Sequence, residues 1–96
     1  MLASVHRRLA ITTMIACIER IESEKKKLEE SLPKYSIAHV HGGSCIHNFN
    51  DISSIYWNIR EEMNMITKQM DIIDKIKEIR DETQIEFDEN DNVVYL

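Results

Sequence analysis

The sequence predicts a mainly α fold with small β elements: an antiparallel helical hairpin with a β-like connector and a C-terminal β-hairpin, assembling as a homo-oligomeric helical bundle. Three observations carry that expectation. Two segments of about 30 residues each repeat their apolar residues at helical spacing. The chain has only two Gly and one Pro, and all three fall between those segments. The last residues alternate apolar with acidic side chains and then run Val-Val-Tyr-Leu, a β-forming composition. A chain of 96 residues makes one domain, 1–96.

The first helix is expected over residues 3–31. Ile11, Met14, Ile18, Ile21, Leu28 and Leu32 step by three and four once Lys25 is admitted as an interruption, which is a heptad seam. A second stripe, Ala10, Met14, Cys17 and Ile21, widens the apolar face in the N-terminal half. From Glu22 onward the remaining surface is rich in Glu and Lys, and Glu22 precedes Lys26 in the favourable i,i+4 order. Pro33 is expected to stop the helix, because the residue before a proline is pushed out of the α region. The basic start and the run Leu9–Ile18 have the outline of a secretory signal. No small-residue cleavage site follows, however, and the apolar spacing continues into the charged part, so the expectation is a cytoplasmic protein.

The connector, residues 33–50, holds both glycines, three of the four histidines and one of the two cysteines. Tyr35–His41 has strand character, Gly42-Gly43-Ser44 suits a turn, and Cys45–Phe49 returns. On such a hairpin His39, His41, Cys45 and His47 project from one side, since residues two apart on a strand share a face. Thiolate and imidazole are zinc's usual ligands and four fill a tetrahedron, so zinc is the metal this set would take. The plainer reading is a connector that binds no metal. No carboxylate lies nearby in sequence to orient a Cys–His nucleophile pair.

The second helix is expected over 51–81. Ile52, Ile59, Ile66 and Ile73 recur every seven residues, with Tyr56, Met63 and Met70 four residues after the first three. Asn50 or Asp51 is a suitable N-cap. A further stripe, Met65, Ile72, Ile76 and Ile79, lies off that seam, and Ile55 and Trp57 also leave it. Two helices packed only on each other would leave the further stripe wet, so copies of the chain are expected to bury it. The oligomer seam is therefore read as Ile52, Tyr56, Ile59, Met63, Ile66, Met70, Ile72, Ile73, Ile76 and Ile79. Residues 84–96 complete the chain as a β-hairpin. Ile85 and Phe87 point one way, Glu86 and Asp88 the other, and the turn lies near Glu89–Asn92. Asp88-x-Asn90-x-Asn92 lacks the Gly and distal Glu of a calcium loop.

Net charge is −5, but residues 81–96 alone carry −6 with no Lys or Arg. That balance makes nucleic acid an unlikely partner, and the cluster His6-Arg7-Arg8 is too short to reverse it. No apolar run approaches the roughly 20 residues that span a bilayer. There is no nucleotide-binding glycine motif, and no carboxylate pair marks catalysis. The expected function is a small binding or inhibitory module, not an enzyme, acting by protein–protein interaction with itself and with an unidentified protein partner. Abundant Ile, Met, Asn and Lys suggest an AT-rich genome, and the size and acidity suit a phage or mobile-element accessory protein. Two alternatives stand beside it. One is a small-molecule binder holding a nucleotide-like, phosphate-containing ligand at subunit boundaries through Arg7, Arg8, Tyr35, Gly42, Gly43, Ser44 and Trp57. The other is a zinc-dependent regulator built on the 39–47 cluster. No cofactor other than zinc is expected.

Overall fold

Residue order alone places an α-helix, α1 (Ala3–His41), before a second, α2 (Cys45–Ile76), and then two short strands, β1 (Ile85–Phe87) and β2 (Val93–Tyr95). This is a computed structural model. It describes the backbone of residues 1–41 and 45–96, and the side chains of residues 1–30 and 51–96. The mainly helical reading with a small antiparallel sheet holds among the described residues.

The β-like connector does not. The backbone of 33–41 and 45–50 is helical. Pro33 removes one backbone donor and crowds the carbonyl four residues back, a cost of about 3 kcal/mol, yet the helix continues past it. The residues that follow explain why a helix remains open to the chain. Ile37, Ala38 and Val40 sit at helical as well as alternating spacing, and no glycine occurs before position 42. On the other side, Cys45 and Phe49 extend the step of four and three into Ile52, so the heptad of the second helix begins upstream of Asp51.

The chain divides into two units. The first comprises Met1–Ala16 and Asn64–Leu96, and the start of α1 lies beside the end of α2. Its core is Ala3, Ile76 and Ile85, all fully buried, with Ile72, Ile79, Phe87 and Val93 packed around them. Thus Ile72, Ile76 and Ile79, expected to be buried by another copy, are covered by this unit's own β-hairpin. The hairpin follows its alternation: Ile85 is buried, Glu86 exposed and Phe87 half-buried, in the register Ile85 with Tyr95, Glu86 with Val94 and Phe87 with Val93. Its turn is drawn in by Asp88, whose Oδ1 accepts from the amides of Asn90 and Asn92, both at 2.9 Å. Asp91 takes a left-handed φ of 60°, which Asp tolerates better than most residues. On its other edge β1 meets the chain start, with Leu2 bridged to Gln84.

α2 ends at Ile76, five residues before the expected Asp81. The reason is Arg7. Its Nη1 donates to the carbonyls of Ile76 at 2.9 Å and Ile79 at 3.0 Å, and Nη2 pairs with the Asp81 carboxylate. A guanidinium there adds to the Ile76 carbonyl, which also accepts from the Ile79 amide at 3.1 Å, satisfies the Ile79 carbonyl, and sets a positive charge against the negative end of the helix dipole. The favour is returned at the start of α1, which has no acidic residue in its first turn. There the amides of Ala3 and Ser4 donate to the carbonyls of Thr83 and Asp81, at 2.9 and 3.3 Å.

The second unit, Cys17–Met63, holds the rest of both helices. Arg20 meets Glu62 at 2.8 Å, and among its described residues Cys17 and Ile55 are fully or nearly fully buried.

Candidate interaction surface

Burial identifies which residues of each helix meet within a unit. On α1 the inward positions are Ala3, Arg7, Ala10 and Met14 in the first unit and Cys17, Ile21, Glu24 and Leu28 in the second. On α2 they are Ile66, Gln69, Ile73 and Ile76 in the first and Ile52, Ile55, Ile59 and Glu62 in the second. Both series step by four and three. On α1 this is the stripe that begins at Ala10, and the anticipated seam residues Ile11 and Ile18 are 48% and 50% exposed instead. On α2 the isoleucines of the seam keep their inward place. Their expected alternates Tyr56, Met63 and Met70 do not, at 55%, 56% and 59% exposed. Ile55, Glu62 and Gln69, each one residue earlier, take that place, and Ile76 continues the row. The physical reason is size. Ala3, Ala10 and Cys17 on α1 let the helices approach over small side chains, and the bulky Ile11 and Ile18 are turned out.

The two sides of the seam differ in character. In an antiparallel pair, the positions one residue after the seam turn to the same side on both helices, because each helix advances 100° per residue in opposite senses as seen from one end. In the first unit those positions include Ile11 and Ile15 on α1 and Met70 on α2, all about half exposed, beside the polar Ser4, Arg8, Thr67, Asp74 and Lys77. The opposite side of that unit carries the hairpin: His6 stacks edge-on against Phe87 with ring centroids 5.1 Å apart, and its Nε2 lies 3.1 Å from the Ile85 carbonyl.

In the second unit, the positions after the seam are Ile18, Glu22, Lys25 and Glu29 on α1 and Ser53, Tyr56, Arg60 and Met63 on α2. Tyr56 and Arg60 are tied together, with Arg60 Nη1 3.4 Å from the phenol oxygen. Arg60 also lies over the Trp57 ring at 5.5 Å, and Tyr56 and Trp57 meet edge-on at 5.5 Å. An exposed Trp, Tyr and Arg held in mutual contact is the residue set over-represented where binding energy concentrates in protein interfaces. The other side of this unit is a polar groove lined by Arg20, Ser23, Glu24, Lys27, Asn58 and Glu61, with Glu62 at its floor.

At the seam of that unit, Cys17 is fully buried. Burial, and then the Glu62 carboxylate, push its thiol above the ordinary range, against the lowering effect of Arg20, whose Nη2 lies 3.4 Å from Sγ. The Arg20 hydrogen bond holds Glu62 below the usual carboxylate range. A buried thiol with a raised pKa is unreactive packing, not a nucleophile.

The other sequence-derived site residues fare as follows. Arg7 is spent on the α2 terminus and Arg8 is exposed beside it in sequence. Trp57 belongs to the other unit and to its aromatic cluster. Gly42, Gly43 and Ser44 lie outside the described residues, as do the side chains of Tyr35, His39, His41, Cys45 and His47. The backbone at 39, 41, 45 and 47 is helical, where a strand was expected. Sequence reasoning missed Ile15, Arg60, and the Arg20–Glu62 pair. The pair leaves no signal in the sequence alone, because it depends on the register of the partner helix.

Comparison of the chain with protein-family models, with curated proteins and with solved structures returns no match. None of the helices is long and apolar enough to cross a membrane, among the described residues.

Proposed function

We propose that this chain is a homo-oligomeric helical module that works by protein–protein contact and performs no chemistry of its own. The observation that supports it is the set of large apolar side chains one residue past the seam. Tyr56 and Met63 in one unit and Met70 in the other recur every seven residues on α2, as buried residues do, yet each is more than half exposed. Ile11, Ile15 and Ile18 are their counterparts on α1. Single exposed apolar residues are ordinary, but a periodic set on both helices marks a surface that something covers.

The test is solution mass by light scattering. The expected result is a mass above that of one 11.3 kDa chain at micromolar concentration. Met63→Glu should return the protein to monomer with its helicity intact, because an unpaired carboxylate would have to be buried in the contact. A wild-type chain that stays monomeric and folded across the concentration range would refute the reading.

A further inference from the structure

We infer that a second copy of this chain docks on the Ile18–Tyr56–Met63 side of the Cys17–Met63 unit, two-fold symmetrically, with Glu22 and Glu29 of each copy facing Lys25 and Arg60 of the other. The inference rests on the self-association proposed above and names its surface and geometry. Three observations choose this occupant over a different protein. First, the apolar centre, Ile18, Tyr56 and Met63, is about half exposed and lies with half-buried Ile52 and Ile59 behind it. Second, its exposed border carries both signs of charge, Glu22 and Glu29 against Lys25 and Arg60, with Lys26 beside the two glutamates. A two-fold contact uses the same patch twice, so a patch that meets its own copy must be self-complementary. A patch evolved for a partner of one charge sign needs only the opposite sign. Third, the opposite side of the same unit is a polar groove with carboxylates of Glu24, Glu61 and Glu62, and it offers no comparable apolar centre. Arg60 is also prepared for the contact, since Tyr56 and Trp57 hold it and less side-chain freedom is lost on docking.

The test uses charge reversal on the full chain. Glu22→Lys/Glu29→Lys places four positive groups on the patch, and Lys25→Glu/Arg60→Glu places four negative ones. Each double variant alone should self-associate at least tenfold more weakly than wild type, because like charges then meet across the two-fold. Mixing the two in equal amounts should restore the oligomer mass, now as a hetero-oligomer. Zero-length carbodiimide cross-linking of wild-type chains, half of them ¹⁵N-labelled, reads the same contact without any substitution. Mixed-isotope links should join Lys25 to Glu22 or Glu29. A wild type that is monomeric would sink both this inference and the association itself. An oligomer whose mass survives both reversals, or whose interchain links fall instead on the acidic hairpin around Asp88–Asp91, would overturn only the assignment of the surface. Failure of the mixture to recover its mass while each variant remains helical would overturn the two-fold pairing.

Discussion

Cys17 stands seven residues after Ala10 and fourteen after Ala3, and each of the three is buried at the helix contact of its own unit. A cysteine there acts as a small hydrophobe, and its chemistry is suppressed by burial and by the neighbouring Glu62 carboxylate. In a Cys45→Ser background, so that one thiol reports, Cys17 should react with an aromatic disulfide reagent many times more slowly than the unfolded chain does. The rate should rise in step with the unfolded fraction as urea is added. Fast labelling of the native protein would show that the helices do not close over position 17. The Glu62 carboxylate gives a pH signature of definite sign. Its folded pKa lies below the unfolded one, chiefly through the Arg20 hydrogen bond. Its contribution to stability is therefore complete above the unfolded carboxylate range, and is lost as pH falls through the folded value. The urea midpoint should drop on acidification from about pH 5 toward pH 3, and Glu62→Gln should flatten part of that fall. Cys17 has the opposite dependence. Its raised pKa favours folding below the unfolded thiol range and ceases to do so as pH rises through the folded value. This pair was not legible in the sequence because an Arg and a Glu on charged helices look like solvent-facing residues until the register of the partner helix is known.

Arg7 decides where an element ends. The periodicity of α2 runs on through Lys77, and nothing within residues 77–81 forbids another turn of helix. The stop comes from a residue about seventy positions away, which takes two carbonyls and an aspartate at once. A helix terminus set by a long-range cap cannot be read from local sequence, whereas the hairpin turn around Asp88 can, because its donors and acceptor lie within five residues. Arg7→Met should keep most of the side chain's packing and remove the fork. It should destabilise the fold by roughly 2–3 kcal/mol, the value of hydrogen bonds to a charged group together with the helix-end interaction. Arg7→Lys should recover part of this, since one ammonium cannot reproduce the planar fork. Chemical denaturation with an unchanged slope is the measurement, and equal stability of Arg7→Met and wild type would show that the cap is incidental. The connector departs from the expected strand for a related reason. Alternation over Tyr35–His41 is too short to separate strand from helix, and the hydrogen bond lost at Pro33 does not stop the helix in the chain as it folds.

At the scale of the whole molecule, the apolar inventory was legible and its allocation was not. The heptads show that each helix carries more apolar surface than one partner helix can cover, and that surplus is present in the fold. The C-terminal hairpin takes up Ile72, Ile76 and Ile79, and the surplus moves to Tyr56, Met63 and Met70 and to Ile11, Ile15 and Ile18. Which stripe turned inward depended on the small residues Ala3, Ala10 and Cys17, a choice of close approach over larger side chains that periodicity does not rank. The consequence concerns stability. Only six apolar residues are buried among those described, a small core for these residues, and association is expected to supply part of the stability. Stability coupled to association depends on concentration by mass action. For a dimer that unfolds to separate chains, each tenfold dilution removes about 1.4 kcal/mol per dimer, which lowers Tm by roughly 3–5 °C for chains of this size. The expected result is therefore a Tm that falls steadily on dilution for wild type. In Met63→Glu it should be lower and much less sensitive to dilution, because the substitution removes the contact while leaving the hairpin core of Ile76 and Ile85 untouched. Calorimetry or circular dichroism over a hundredfold concentration range checks it. A wild-type Tm constant over that range, with unfolding still reversible, would mean that the six buried residues suffice and that the exposed apolar side chains contribute nothing to the stability of the fold.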